Sequence, residues 1–355
     1  MNIHTLIPSP DTIPVAWGWF WFFLILTFFL HLLFLNVAIG TGFISLVTSI
    51  RKKQDDTRTA RDLGVKLPYA IAFTITTGVA PLLFIQVLYG HFIYTSSILM
   101  ASYWLSIIIL LLIAYYSAYI YDFKFDRLGD ARSIFISITV FIFILIAFFF
   151  SNNMTLMIMP DKWNAYFSNS QGTLLNLTEP TLYPRYLHFL VASIANGGLF
   201  LALLNDVRTK KGDNKSATTI VLGLKWFTHA FAIQILIGFW FLLMLPKEIR
   251  SLFMGQSVYA TLLLILGILG AFTAFGLSLK KRVRPCAVMV LFTIADMILI
   301  RDVVRTAYLK PYFQVSSLNV TGQYSSLILF LAVLIIGIIV IGYMLKLASQ
   351  AGKEV

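Results

Sequence analysis

Long runs of apolar residues, broken by short polar loops, dominate the hydrophobic pattern of the chain. A helix needs about 20 apolar residues to cross about 30 Å of hydrocarbon. Nine stretches meet that length and predict transmembrane helices at approximately 20–49, 67–90, 94–119, 133–151, 186–205, 218–244, 257–279, 285–306 and 324–346. We find no internal repeat and no soluble domain. The predicted fold is therefore all-α, a polytopic membrane helix bundle that forms a single integral membrane domain over residues 1–355.

Composition supports the membrane assignment and excludes nucleic acid as a partner. The chain is 59% hydrophobic, has a mean hydropathy of +0.85 and is only 12% charged, about half the charged share of a soluble domain. A soluble core cannot hide this much apolar surface, so the lipid bilayer is the main surrounding medium. The net charge of +12 comes from basic residues in the short loops between apolar segments, which is typical of membrane orientation and not of nucleic-acid binding.

Lysine and arginine counts in alternate loops predict the orientation. One set of alternate loops carries 19 of these residues, whereas the connections on the other side carry 7. The first set consists of loops 51–66, 120–132, 206–217 and 280–284 and the C-terminal tail from Lys346. Positive charge accumulates on the cytoplasmic side of a membrane. The sequence therefore predicts an outside N-terminus and a cytoplasmic C-terminus, in a multi-pass protein of a bacterial or archaeal cytoplasmic (inner) membrane.

Histidines within the apolar segments are the first candidates for function, because ionisable side chains inside a bilayer are costly. At about 1.5 Å of rise per residue, His31 and His188 lie about 30 Å and about 27 Å above the inner boundary, in the outer leaflet. His229 lies about 21 Å up its helix, near the middle, and His91 is predicted at the outer surface. The ordinary interpretation of a single membrane histidine is a hydrogen bond between helices.

Several histidines on separate helices also suit a b-type haem, whose iron accepts neutral imidazole axially and whose propionates need cations. Arg185 precedes His188 by three residues, so the two side chains can share one helix face. Arg301 and Arg305 are four residues apart near the predicted outer interface, where guanidinium groups can bind carboxylates in pairs. A simpler alternative is that both arginines pair with Asp302.

Two features of the chain resemble subunit I of the cytochrome bd quinol oxidase family. HLLFLNVAIGTGF in the first helix is similar to the family's early His-x-x-Phe segment, which carries an axial haem ligand, and the match falls on His31. A second similarity follows the order of three family elements: an Asn-containing helix exit, an Asn-Pro loop and the next haem-ligand helix. The corresponding segments here are SNNMTLMIMP, NLTEPTLYPRY and HFLVASIANGGLF, and the ligand position falls on His188. The resemblance implies a helix bundle that holds one or two b haems and works with quinone or quinol.

The departures from that family concern dioxygen chemistry. The sixth and seventh helices are joined by the short segment PKEIRSLFMGQS, whereas the oxidase has a long quinol-binding loop at this position. The third helix lacks the family's membrane carboxylates, and ADMILIRDVVRTAYL stands where the oxidase has a Glu ligand and a GRQPW run. We therefore expect no dioxygen reduction by this chain alone.

The function predicted from these observations is a membrane b-type cytochrome subunit of a respiratory complex. It would transfer electrons between the quinone pool and a periplasmic cytochrome of the c type, which can carry one haem or several. Other membrane subunits would belong to the same complex. Two alternatives stay open. One is a haem-free quinone-binding anchor whose pocket is formed by Lys225, His229 and Asp296. The other is a secondary transporter, although paired halves typical of many transporters are not found.

Overall fold

A computed structural model describes residues 3–51, 54–210, 212–213 and 216–351. The helices are α1 Trp17–Arg51, α2 Gln54–Gly64, α3 Leu67–Leu99, α4 Ala101–Phe123, α5 Phe125–Leu128, α6 Arg132–Ile158, α7 Leu182–Lys210, α8 Ser216–Met244, α9 Lys247–Ser251, α10 Val258–Leu279, α11 Val283–Leu309 and α12 Tyr324–Ala351. Nine helices of the described part are long and apolar enough to cross a membrane. The all-α fold and the nine spans predicted from the sequence are confirmed at this level.

The second and third spans divide at a different place from the one predicted. α3 does not end at residue 90. It continues to Leu99, with a kink at Tyr89 where φ is −134° and ψ is 29°. Met100 separates α3 from α4. His91 is therefore a buried residue within the last turns of α3, with 9% of its surface exposed, whereas the sequence predicted it just beyond the end of that helix. The reason is that the chain bends at Tyr89 without leaving the helix.

α1, α7 and α8 form the tightest part of the bundle because glycines face each other where they cross. A Cβ atom on Gly40 of α1 would lie 2.8 Å from the Cα atom of Gly197 on α7. A Cβ on Gly198 would lie 2.7 Å from the carbonyl oxygen of Gly223 on α8. Small residues of this kind let membrane helices approach closely. α1 also packs against α3 and α6, and α10 packs against α11.

The two ends of the bundle differ in how their loops are joined. At one end, the N-terminal segment pairs with the connection before α12 through hydrogen bonds from Ile13 N to Asn319 O and from Thr321 N to Ile13 O, both 2.9 Å. Tyr312 donates to Asp161 at the same end. At the other end, ion pairs join helices, including Arg208 of α7 with Asp62 of α2 at 2.6 Å. The N-terminus and the loops at 159–181 and 310–323 thus share one end, which is called the N-terminal end below.

Candidate functional site

A cavity of about 240 Å³ lies between α1, α7, α8, α10 and α11. Most of its wall is apolar, with aromatic rings from several helices, including Phe28, Phe231 and Phe253. Its polar lining comes from four of these helices, with three side chains from α7: Asn36, Arg185, His188, Asn196, Gln234, Thr293 and Arg301. An apolar cavity with a few convergent polar groups is the usual form of a small-molecule site.

Arg185 and His188 occupy adjacent positions on the first turns of α7 and both line the cavity. The guanidinium carbon of Arg185 lies 5.2 Å from the ring centroid of Phe241. Its Nε and Nη2 atoms are buried and have no hydrogen-bond partner among the described residues, and the same holds for Nδ1 of His188. Buried polar atoms are nearly always hydrogen-bonded. Unpaired atoms on neighbouring turns therefore indicate a ligand-binding position.

Gly238 of α8 lies beside the imidazole of His188. A Cβ atom at this position would lie 3.4 Å from Cε1 of His188, an ordinary van der Waals contact. The glycine also lines the cavity. The ring can therefore lie against the backbone of α8 while its edge faces the cavity.

Arg301 and Arg305 lie on the same helix but have different surroundings. The guanidinium of Arg301 lines the cavity and lies 4.5 Å from the ring centroid of Phe28. Arg305 is 6% exposed and forms an ion pair with Asp302. Asp302 also accepts a hydrogen bond of 2.8 Å from Nε1 of Trp21. Arg301 thus lines the cavity, whereas Arg305 is held by Asp302 outside its lining.

Two amides add polarity away from the arginines. Gln234 of α8 is 7% exposed, and its Oε1 atom is buried without a partner among the described residues. Asn36 of α1 accepts a hydrogen bond of 2.8 Å from the hydroxyl of Ser193. The sequence reasoning noted Gln234 as a polar residue within a span but missed Asn36. An amide five positions beyond His31 in an apolar helix was the signal for it.

His31 lies outside the cavity, between α1 and α3. Its Nδ1 atom is 3.0 Å from the carbonyl oxygen of Thr74, and because a carbonyl only accepts, Nδ1 carries the proton. A Cβ atom on Gly78 would lie 2.8 Å from Cε1 of His31, so the ring packs on that glycine. Nε2 is left as the atom with a free lone pair, which is the tautomer that ligates a metal.

The other two candidate histidines are also outside the cavity. The ring of His91 packs among aromatic side chains, with centroids 4.2 Å from Phe92 and 4.6 Å from Phe313. His229 is exposed on the outer face of α8, beside exposed Lys225, and its Nδ1 donates to the carbonyl oxygen of Lys225 at 2.7 Å. The sequence predicted His229 near the bilayer centre, as a ligand of a second haem or in the lining of a quinone site. The structure places it on the outside of the bundle.

The structure therefore brings together three of the seven candidate residues, namely Arg185, His188 and Arg301. Within the described ranges, no group of three or more His, Cys, Asp or Glu side chains could hold a metal ion directly. A macrocycle that supplies its own equatorial nitrogens needs only one or two axial side chains. Single histidines on separate helices are consistent with that kind of cofactor.

Comparison with known proteins defines the fold of the chain. No protein-family model matches the sequence, and no curated protein matches it either. Among solved structures, the fold is similar to that of the bd oxidase from Geobacillus thermodenitrificans, with a TM-score of 0.72 and 13% sequence identity. The similarity covers 92% of this chain and 96% of that chain. The fold is therefore like that of a bd oxidase chain over nearly its whole length.

Proposed function

We propose that the chain is a membrane subunit of a respiratory complex that holds a b-type haem in the cavity. It would carry electrons between the quinone pool and a periplasmic c-type cytochrome. The observation that supports this most strongly is the pair Arg185 and His188, whose buried polar atoms have no partner among the described residues and which line one cavity with Arg301. The bd-oxidase-like fold supports it independently.

The lining residues fit the chemistry of a b haem. His188 would supply an axial nitrogen, and Arg185 and Arg301 would pair with the propionates as charge-assisted donors. The apolar remainder of the wall would contact the porphyrin faces and exclude water. The volume of about 240 Å³ is just under the usual range of about 300–1,000 Å³ for ligand sites, so binding would require the aromatic walls to move slightly. When bound, the haem supplies one-electron redox chemistry.

The protein residues would set the position and the electrostatics of that cofactor. Two guanidinium groups in a cavity of low polarity stabilise negative charge at their end of the site, which is the N-terminal end. With the predicted orientation, this end faces the outside, where a soluble c-type cytochrome would approach. His31, with its protonated Nδ1 and free Nε2, is the candidate ligand for a second haem between α1 and α3.

His91, Arg305 and His229 contribute less directly in this proposal. Arg305 would hold Asp302 and support the end of the cavity. His91 would fix the last turns of α3 among aromatic rings. His229 could ligate a haem only from the outer face of α8, so its role would require a neighbouring membrane subunit.

A haem-free quinone-binding anchor is the second candidate function, and Gln234 favours it. A buried amide with an unpaired Oε1 atom is suited to a quinol hydroxyl, and a cavity of about 240 Å³ accommodates a quinone ring with part of its tail. Lys225 and His229 do not contribute to this pocket, because they lie on the outer face of α8. The pocket of the alternative would consist of Gln234 with His188 and Arg185 instead.

Electron transfer by the purified protein tests the proposal. We expect a short-chain quinol to reduce a bound b-type chromophore and a soluble c-type cytochrome to reoxidise it, with negligible oxygen uptake. Quinol binding without any visible chromophore would favour the second candidate. Rapid cyanide-insensitive oxygen uptake would contradict the expected absence of dioxygen reduction.

A further inference from the structure

Asp296 is a buried carboxyl at the midpoint of α11, which spans Val283–Leu309. At about 1.5 Å per residue it lies about 20 Å from either end of the helix. Its side chain is 5% exposed, and Oδ2 has no hydrogen-bond partner among the described residues. A buried carboxyl with an unpaired oxygen is costly in a membrane, so Asp296 is a functional candidate.

Two glycines of α10 make room for polar groups of α11. A Cβ atom on Gly267 would lie 2.5 Å from Oδ2 of Asp296, and one on Gly270 would lie 2.8 Å from Oγ1 of Thr293. Gly267 and Thr293 both line the cavity. The carboxyl of Asp296 therefore lies against the cavity wall at Gly267. Little protein separates it from the cavity, so a charge inside the cavity changes the stability of the carboxylate.

The charged neighbours of Asp296 leave it sensitive to that charge. On α11, the following turns carry Arg301 and Asp302, but Asp302 is paired with Arg305. Tyr259 of α10 is electrostatically coupled to both carboxyls. Arg185 and His188 of α7 line the cavity on other sides, and α8 contributes the uncharged Gln234. An isolated carboxylate is unfavourable in such surroundings, whereas a positive charge in the cavity would favour the ionised form.

We propose that Asp296 is the proton-exchanging group of the cavity. It would bind one proton when an electron enters the cofactor site and release the same proton when the electron leaves. This inference rests on the proposed function, with quinol as the electron donor and a c-type cytochrome as the acceptor. The charge balances, because each electron that enters is matched by one proton that converts the Asp296 carboxylate to the neutral acid.

Redox titration at several pH values tests the coupling in the protein with its bound cofactor. In the wild type the midpoint potential should fall as pH rises, by up to about 59 mV per pH unit, the equivalent of a tenfold change in equilibrium constant for one electron. In Asp296→Asn the slope should be near zero with cofactor content unchanged. Asp122→Asn is the matched control, since it removes a carboxyl at the end of α4 that does not line the cavity and should keep the wild-type slope. An unchanged slope in Asp296→Asn would overturn the inference.

Carbodiimide labelling provides a second test that does not depend on the cofactor. Dicyclohexylcarbodiimide dissolves in the bilayer and modifies carboxyl groups in their protonated form. We expect modification of Asp296, detected by mass spectrometry, at a rate that decreases as pH rises. No modification of Asp296 at any pH would overturn the inference. A protein that lacks a redox chromophore but shows this pH-dependent labelling would contradict the proposed function and leave proton exchange by Asp296 supported.

Discussion

Two of the regions in which the bundle buries polar side chains differ in their hydrogen bonding. At the end of α6, Asn152 and Asn153 are fully buried. Asn153 bonds to the hydroxyls of Ser96 and Ser97, and Asn152 bonds to the backbone of Phe148 and Asn176. In the cavity, Arg185, His188 and Gln234 bury polar atoms with no partner among the described residues. The first region thus completes the fold, and the second indicates a ligand.

Replacing His188 should have the largest effect on the ligand-binding region. His188→Ala removes the proposed axial nitrogen, so at least one b haem should be lost from the purified protein. The haem-to-protein ratio from a pyridine haemochrome assay measures this. His229→Ala is the matched control, because it removes an exposed imidazole and should keep the ratio of the wild type. Full haem content and an unchanged spectrum in His188→Ala would exclude ligation by this residue.

Arg185→Gln should weaken haem retention without abolishing it. A hydrogen bond to a charged group contributes about 1.5–3 kcal/mol, so haem affinity should fall roughly 10- to 150-fold. Transfer of haem to excess apomyoglobin measures the change. Arg250→Gln is the control, since Arg250 donates to a backbone carbonyl at an exposed position and should not affect transfer. Equal transfer from Arg185→Gln and the wild type would count against the contact with a propionate.

Asn153→Ala should show the opposite behaviour to the cavity variants. The change removes the hydrogen bonds of Asn153 to Ser96 and Ser97, although Ser96 keeps its bond to the carbonyl oxygen of Ile93. Each lost hydrogen bond contributes about 0.5–1.5 kcal/mol. We expect lower thermal stability in detergent with a normal haem-to-protein ratio. Thr273→Ala, at an exposed position of α10, should change neither. Loss of haem with unchanged stability in Asn153→Ala would contradict the distinction between the two regions.

The smallest effect concerns Tyr312, outside the membrane-spanning segments. Partial burial and the hydrogen bond to Asp161 raise the pKa of Tyr312 from 10.0 to about 12. Because the folded protein holds this proton more tightly, its contribution to stability is present below about pH 10 and is lost as pH rises toward about 12. Tyr312→Phe should therefore flatten that part of the stability profile and cost at most about 1 kcal/mol at pH 7.

Denaturation of the wild type and of Tyr312→Phe across this pH range measures the difference. Tyr166→Phe is the control, because it changes an exposed tyrosine and should leave the profile unchanged. Parallel profiles for Tyr312→Phe and the wild type would show that the contact is unimportant.

The sequence was sufficient to predict the membrane spans, but it did not show which face of each helix points into the bundle. Hydrophobic length predicted the nine long helices because each must cross the same thickness of hydrocarbon. It did not reveal which side of α8 faces inward, since apolar residues surround that helix on all sides. His229 was therefore predicted inside and lies outside, while Gln234, five residues later, faces the cavity. The end of α3 was predicted at residue 90 and lies at Leu99, because a kink within a helix resembles a loop in a hydrophobicity pattern.

Within the site, the sequence could predict which side chains of a single helix share a face, because this depends only on their spacing. Arg185 and His188 are three residues apart, and this spacing fixes a shared face without knowledge of the rest of the fold. The partners across the cavity could not be predicted in this way. Whether Arg301 or Arg305 faces inward depends on the rotation of α11, which the hydrogen bond from Trp21 of α1 to Asp302 helps to fix.

The reduced-minus-oxidised visible spectrum of the purified protein tests the central claim most directly, namely that the unpaired polar atoms of the cavity mark a haem site. We expect a sharp b-type α-band in the wild type that is diminished in His188→Ala and preserved in His229→Ala. A featureless difference spectrum in the wild type, from protein purified without loss of cofactor, would contradict the claim.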